Sequence, residues 1–374
     1  MPGATSPATR ADTRAESRRS TRPTRTDDMP STPVIDIHTH LAGIGQNGTG
    51  CFIAPRKFDS LLYRLLRRKL GILGAERQGN LDRAYRQRLE RDIDAAAAHD
   101  AVHAAVVFAH DRVHDEDGTA HPGRQELYVP NDYLFACAEQ ARGKVLPAAS
   151  VHPYRKDALE ETARWIDRGA VALKWLPNSQ GMDPSHDRCR PIYRLLRERK
   201  VPLIAHTGGE HTVRVIRKEF GNPKLLETPL REGVTVILAH CATKSGLFDP
   251  DWFPTFASLA REYPHCYGDT SALNTPGRAR WHIRLLGEKD LLPKLVHGSD
   301  FPVPPSAWWS LFKLGWSRTR AMEKIWSFLE RDVRIKRALG YPDDVFTRAA
   351  ALLTPGSLQR WGVGGDARAD ESPV

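Results

Sequence analysis

The feature that most constrains this chain is an alternation. Short runs rich in Val, Ile and Leu recur between segments with helical periodicity. The runs fall at 34–38, 102–108, 145–151, 170–175, 202–206, 234–240, 265–269 and 295–299. Most carry consecutive apolar residues rather than a strict polar–apolar alternation, as strands covered on both faces do, so a parallel sheet is indicated rather than a half-solvated antiparallel one. Helical patterns at 81–98, 132–141, 156–168, 191–199, 211–220, 252–262 and 278–286 supply the crossovers that parallel strands require. Eight strands with intervening helices predict an α/β fold, a closed (β/α)8 TIM barrel. A chain of 374 residues is normal for such a barrel with additions.

Two additions stand out. More than sixty residues separate the first two strands, and this helical insertion (41–100) carries Leu61, Leu62, Leu65, Leu66 and Leu70 as one apolar stripe that should cover something. Extra C-terminal helices hold Trp308, Trp309, Trp316 and Trp326, expected to pack on the barrel, with a subunit interface as the other use. The ends differ from the body. Residues 1–30 are Pro, Ser, Thr, Arg and Asp with almost no aliphatic side chains and read as a disordered arm, and 361–374 as a disordered tail. Between them, 31–360 form a single barrel domain.

Charge and cysteine usage narrow the function classes. The excess of Lys and Arg over Asp and Glu, 55 to 45, is concentrated at 56–92 and in the arm, so no basic groove crosses the domain and nucleic acid is not an expected partner. A small-molecule substrate is the expected partner, and an anionic one would suit the local positive field. No apolar stretch reaches membrane-spanning length. The five cysteines form no CxxC and are odd in number, which argues against a disulfide framework and fits a cytoplasmic protein. A homo-oligomer is the default assembly.

The chemistry lies at the strand ends, because barrel enzymes build their sites on the C-terminal rim. The first strand ends IDIHTH, and its period of two points His38 and His40 the same way. Lys174 sits in AVALKWLP, His206 in LIAHTG, His240 in VILAHC and Asp300 in LVHGSDFP. Four histidines and an aspartate on one rim are costly to bury without a cation, so a divalent metal is expected, zinc by default, with manganese, iron or nickel as alternatives. Lys174 among apolar neighbours needs a salt bridge, a depressed pKa or a chemical change. Carboxylation by CO2 would make it an anionic bridge between two ions. The other reading is an unmodified lysine, paired with Asp300 or binding a substrate anion. Further polar residues follow the strands: His110, Asp111 and His114; His152 and Tyr154; Asn178, Asp183 and His186; Glu210 and His211. Of these His152, Tyr154, Glu210 and His211 are the candidate substrate contacts, His211 at a helix start whose free N–H groups favour an anion. Arg56 and Lys57 reach the mouth if the insertion folds as a lid.

As an ordered set, DIHTH, ALKWLP, HTG, AHC and GSDFP, the chain resembles the amidohydrolase superfamily over roughly residues 34–355, and within it the amidohydrolase-related branch that includes decarboxylases and lactonases. The resemblance implies metal ligation by His38, His40, His206, His240 and Asp300, with Lys174 the carboxylated bridge of two-metal members and His240 a catalytic histidine in one-metal members. It implies an enzyme, foremost a metal-dependent hydrolase in which a metal-activated hydroxide attacks a small amide, ester or lactone carbonyl and Asp300 shuttles the proton. The alternative is a single-metal, non-oxidative decarboxylase of an aromatic or unsaturated carboxylic acid. The insertion after the first strand and the sequence WLPNSQGMDP depart from the pattern and leave the substrate open. Because the arm lacks anything to pack, deletion to Met29 should leave the thermal unfolding midpoint and turnover unchanged; a clear loss in either would show that it docks.

Overall fold

The structure, a computed structural model, describes residues 32–363. The expected arm lies outside the described residues. Of the expected tail, Trp361 and Val363 are described and buried, Trp361 donating its indole N–H to the Gly169 carbonyl (2.7 Å), so the packed chain extends past the expected boundary at 360.

Eight parallel strands run in sequential order: β1 (Ile35–His40), β2 (Ala104–Phe108), β3 (Val145–Ala149), β4 (Ala172–Trp175), β5 (Leu203–Ala205), β6 (Val236–Leu238), β7 (Cys266–Asp269) and β8 (Leu295–Val296). Nearly every strand residue is buried, as the unbroken apolar runs require. The two edges meet along a seam, where Ile37 N–H donates to the His297 carbonyl (3.0 Å), Asp300 N–H to His38 (2.9 Å) and His40 N–H to Phe301 (2.8 Å). The barrel is thereby nearly closed. Gly298 is required at this seam: a Cβ there would lie 2.8 Å from the His38 Cβ.

The insertion after β1 folds as expected. Ser60 caps the helix Leu61–Leu70 by accepting from Tyr63 N–H, and Gly71, at φ 70°, ends it in the left-handed conformation glycine tolerates. The long helix Leu81–Ala97 buries Leu81, Tyr85, Leu89, Ile93 and Ala96 along one stripe. Its Asp82 carboxylate accepts from Ile44 and Gly45 N–H (2.8 and 3.1 Å) and pins the loop that leaves β1.

Three expectations change. The helix at 211–220 does not form; Glu210 accepts from Val213 N–H, while Ile216 and Arg217 N–H donate to the Asn178 carbonyl. Thr212, Val213, Val215 and Ile216 are β-branched, which weakens a helix against these alternatives, and the crossover helix is Glu227–Arg231. The leucine stripe covers less than expected, with Leu61, Leu62 and Leu65 exposed and Leu70 buried. Trp308, Trp309, Trp316 and Trp326 also stand half exposed instead of packing fully on the barrel, and Phe312 beside them is wholly exposed.

The helix Phe328–Leu339 braces the seam. Lys336, fully buried, donates to the Gly298 carbonyl (2.7 Å) and pairs with buried Asp332. Removing one partner strands a charge in the interior, so Lys336→Met should destabilise the fold by about 3–5 kcal/mol. Urea unfolding measures this, and a loss below about 1 kcal/mol, within the range of ordinary surface substitutions and small core changes, would refute the bracing role.

Candidate metal centre

His38 and His40 leave the end of β1 on one side, and Asp300 follows β8 across the seam. His38 Nε2 and His40 Nε2 lie 3.2 Å apart, and Asp300 Oδ1 is 3.3 Å from the first and 3.2 Å from the second. Ligands about 2.1 Å from one ion, in tetrahedral or octahedral array, are separated by roughly 3.0–3.4 Å. The triangle has these edges.

Tautomer chemistry makes the case sharper. His38 Nδ1 is 2.7 Å from Asp269 Oδ2, a carboxylate oxygen that accepts, so Nδ1 carries the proton and Nε2 presents a lone pair. That lone pair faces the Asp300 carboxylate with no proton between them. Burial holds His38 well below the ordinary imidazole pKa, with Lys174 and His40 adding to the effect, so protonation does not relieve the opposition at neutral pH. A cation at the centre of the triangle does. The residues present therefore fit a divalent ion.

His240 stands behind this triangle, its ring centroid 5.1 Å from that of His38. Its Nδ1 lies 3.1 Å from the Ser271 carbonyl and 2.7 Å from the Ser271 hydroxyl, while Asp269 Oδ1 accepts from its backbone N–H (2.8 Å). His38, His240 and Asp269 form a second cluster of metal-ligand type. The 2.7 Å His38–Asp269 contact within it is a hydrogen bond, which suits orientation of His38 better than a second ion. Both His240 and Asp300 adopt left-handed backbone, φ 58° and 70°, as do Cys241, Ala242 and Ala272 nearby. Such residues cost of order 1–3 kcal/mol each and persist where the surroundings over-determine them.

Among the buried side-chain atoms of this region without a hydrogen-bond partner are Lys174 Nζ, His206 Nε2 and Arg278 Nε. Burial lowers Lys174 to about 8, against the opposing fields of Asp269, Asp300 and Glu210. Its nearest described compensation is the Phe108 ring, 4.2 Å from Nζ; it makes no ion pair with Asp300. His206 is held low by burial despite Glu210, 3.7 Å away, which is itself held as a carboxylate by His206 and by hydrogen bonds from Thr212 and Val213.

These groups line one cavity of about 460 Å³. The insertion overhangs it through Lys57, Leu62, Tyr63 and Leu66, so the lid expectation holds for Lys57 but not for Arg56. Glu210 and His211 reach the cavity, as does His110. His211 is mostly exposed, bonded to Asp249 (3.0 Å), and heads no helix, so the expected anion site at a helix start is absent. His152 and Tyr154 do not line the cavity. His152 uses Nε2 on the Gln180 carbonyl and Nδ1 on Tyr154 N–H, and the Tyr154 hydroxyl accepts from Asp183 N–H, so both are committed to holding loops. Asp111 and Asn178 do the same through His152 N–H and through Ile216 and Arg217 N–H. His114 donates its Nδ1–H to the Arg112 carbonyl of its own loop (3.0 Å), and His186 accepts from Arg188 N–H.

Sequence reasoning missed Asp269, Ser271 and Arg278. Asp269 ends β7 and was reachable by the strand-end rule that found Asp300. The sequence pattern puts Arg278 at a helix start, but the helix begins at Trp281 and Arg278 lines the cavity instead.

A parallel barrel with a His/Asp cluster on its C-terminal rim defines a metal-dependent barrel enzyme. The family model described as Amidohydrolase matches residues 35–336, and the chain belongs to that family, in the amidohydrolase-related branch of the superfamily. Among solved structures, an uncharacterized TIM-barrel protein from Bordetella bronchiseptica is similar over 88% of this chain and 97% of its own, at 17% identity and TM-score 0.55. A candidate 2-pyrone-4,6-dicarboxylic acid hydrolase from Pseudomonas putida matches over 89% and 98%, at 17% identity and TM-score 0.50. A 2,6-dihydroxybenzoate decarboxylase from Rhizobium matches over 89% and 100%, at 12% identity and TM-score 0.47. At these identities the likeness concerns the fold. No curated protein sequence matches the chain. Among the described residues no helix is long and apolar enough to cross a membrane, and all five cysteines are free and buried.

If Asp269 sets the His38 tautomer, Asp269→Ala should weaken divalent-metal binding by about 10–100-fold, read by chelator competition. Unchanged affinity in a folded variant would remove Asp269 from the centre.

Proposed function

We propose that this enzyme removes CO2 without oxidation from a small aromatic or unsaturated carboxylic acid, using one divalent ion, zinc by its donor set, held by His38, His40 and Asp300. The observation that carries this reading is the triangle of His38, His40 and Asp300, with the His38 lone pair turned into it. Three groups are already gathered for one ion, whereas Lys174 and His206 stand apart as unpartnered groups facing the same cavity. When bound, the ion supplies a Lewis acid that draws electron density from a substrate oxygen.

The chain's own residues do the rest. The Lys174 ammonium, buried and without a carboxylate partner, attracts and orients the substrate carboxylate. Leu62, Leu66, Ile53 and Val213 give the cavity an apolar wall for the carbon skeleton. Asp300 delivers a proton to the carbon that bears the carboxylate. The bond between that carbon and the carboxylate then breaks, its electron pair returns to the conjugated system, and CO2 leaves; one proton is consumed per turnover and Asp300 regains it from solvent. His240, with Nδ1 occupied by Ser271, presents Nε2 toward the cavity and positions the substrate beside Asp300.

The hydrolytic reading, two ions bridged by carboxylated Lys174 with His206 and His240 on the second, draws on one observation. A lysine whose pKa falls to about 8 has a sizeable neutral fraction near pH 8, and only the neutral amine captures CO2. Elemental analysis separates the two. The decarboxylase reading expects one tightly held ion in the parent and the same ion in Lys174→Ala. Two ions in the parent, falling to one or fewer in the variant, would favour hydrolysis.

Turnover gives the second test. The metal-loaded enzyme should release CO2 from members of a panel of hydroxybenzoic and enoic acids, and Asp300→Asn should lose most of that activity, at least about 100-fold, because an amide cannot hand over the proton. Near-normal turnover in Asp300→Asn with metal bound would sink the assignment.

A further inference from the structure

We propose that Arg278 forms a second anion subsite in this cavity, and that the natural substrate is therefore a small dicarboxylic acid. The inference rests on the reading that the cavity takes a carboxylic acid, and it names the class of acid.

Arg278 is 7% exposed and lines the cavity with the metal triangle. One guanidinium nitrogen donates to the Gly209 carbonyl (3.2 Å), and Nε has no partner. Among the described residues it makes no ion pair. The acids whose fields reach it are Asp300, Glu210, Asp249 and Asp269, and each is engaged elsewhere. Asp249 accepts from His211, from the Ser245 hydroxyl (2.7 Å) and from Gly246 N–H (2.6 Å). Glu210 accepts from Thr212 and Val213, Asp269 from His38 and His240, and Asp300 faces the two histidines of β1.

A guanidinium remains charged in proteins, so its burial without a counter-ion asks for an anion from outside the chain. Its planar fork suits a carboxylate in a two-point contact. The backbone that carries it is also held in place. Arg278 N–H donates to the Thr275 carbonyl (3.2 Å), the Thr275 hydroxyl to Ala272 (2.7 Å), and the Trp281 indole to Lys244 (2.9 Å). Gly277 lies so close to Ser245 that a Cβ would fall 2.2 Å from its carbonyl oxygen. The loop from β7 is thus fastened to the loop from β6, with Arg278 pre-set toward the cavity. Lys174 arrives from β4 and Arg278 from beyond β7, so the two buried unpartnered cations of the cavity come from different sectors of the rim, while the Lys57 ammonium on the lid is partly solvated. One carboxylate for each is the simplest neutralisation.

The test is equilibrium binding, by calorimetry, of benzoate, phthalate, isophthalate and terephthalate to the metal-loaded full-length protein. At least one of the three diacids should bind tenfold or more tightly than benzoate. Arg278→Gln should abolish that preference, and Arg278→Lys, which keeps charge but not the fork, should retain part of it. Thermal unfolding of each variant establishes that it is folded. If no diacid outcompetes benzoate on the parent protein, the subsite is overturned whatever the variants do. Persistence of the preference in folded Arg278→Gln overturns it equally. A diacid preference without CO2 release from any acid supports the subsite while refuting the reaction, so the two proposals fail separately.

Discussion

The hydrogen-bonded seam between β1 and β8 is the constraint on which the site depends. His40 and Asp300 are 260 positions apart in sequence, and only edge-to-edge pairing of the first and last strands brings their side chains to 3.2 Å. Asp36 reinforces the seam, its carboxylate accepting from both His38 and Ser299 N–H at 3.0 Å. Gly298 allows the close approach beneath His38, and Lys336 holds the Gly298 carbonyl from outside. The left-handed turn at Asp300 is then imposed by bonds on both sides: its N–H to His38 and its carbonyl to Val303 N–H (2.9 Å). Local strain at the ligand is held by long-range pairing.

From that geometry follows an unusual charge inventory. The imidazoles of His38, His206 and His240 are kept neutral by burial, which leaves lone pairs where a cation can use them. The buried positive groups of the cavity, Lys174 and Arg278, are unpaired, while its carboxylates are already committed. A site so arranged fits a cation at the triangle and, under the proposed function, anionic groups at the two side chains, with both sets of groups in place before any substrate arrives. The preorganisation lies in bonds made by Asp269, Ser271 and Thr275, none of which needs to touch a ligand.

The barrel and the metal triangle were legible in the sequence because both rest on local signals. Eight mostly apolar runs separated by helical patterns mark strands covered on both faces, and polar residues at their ends mark the rim. What the sequence hid depends on packing between loops. His152 and Tyr154 occupy strand-end positions like those of the ligands, yet close loops with their polar atoms, which no spacing reveals. The segment 211–220 has a plausible helical pattern, but its backbone N–H groups find Glu210 and Asn178 instead. Arg278 looked like the first residue of a helix until the helix started three residues later. The four tryptophans were expected inside on hydrophobicity alone, and their exposure depends on how the C-terminal helices sit.

The apolar cover bears on which chemistry the cavity suits. Decarboxylation turns a carboxylate, strongly stabilised by water, into neutral CO2 and a carbon skeleton that gains nothing from hydration, so walls that exclude water disfavour the reactant more than the products. Hydrolysis makes the opposite demand, since water is a reactant and the products are more polar than the amide or ester. Leu62, Tyr63 and Leu66 of the insertion helix face the cavity, and Lys57 is the insertion's charged residue there. The helix that presents them is fixed at its start by the Ser60 cap and at its end by Arg67, whose guanidinium pairs with Glu76 (3.1 Å) and stacks on Phe58 (3.9 Å). An apolar wall held in this way, beside the His/Asp cluster and the buried cations, would suit the proposed decarboxylation: it would give a carboxylate charge partners while reducing the water around the carbon to be protonated.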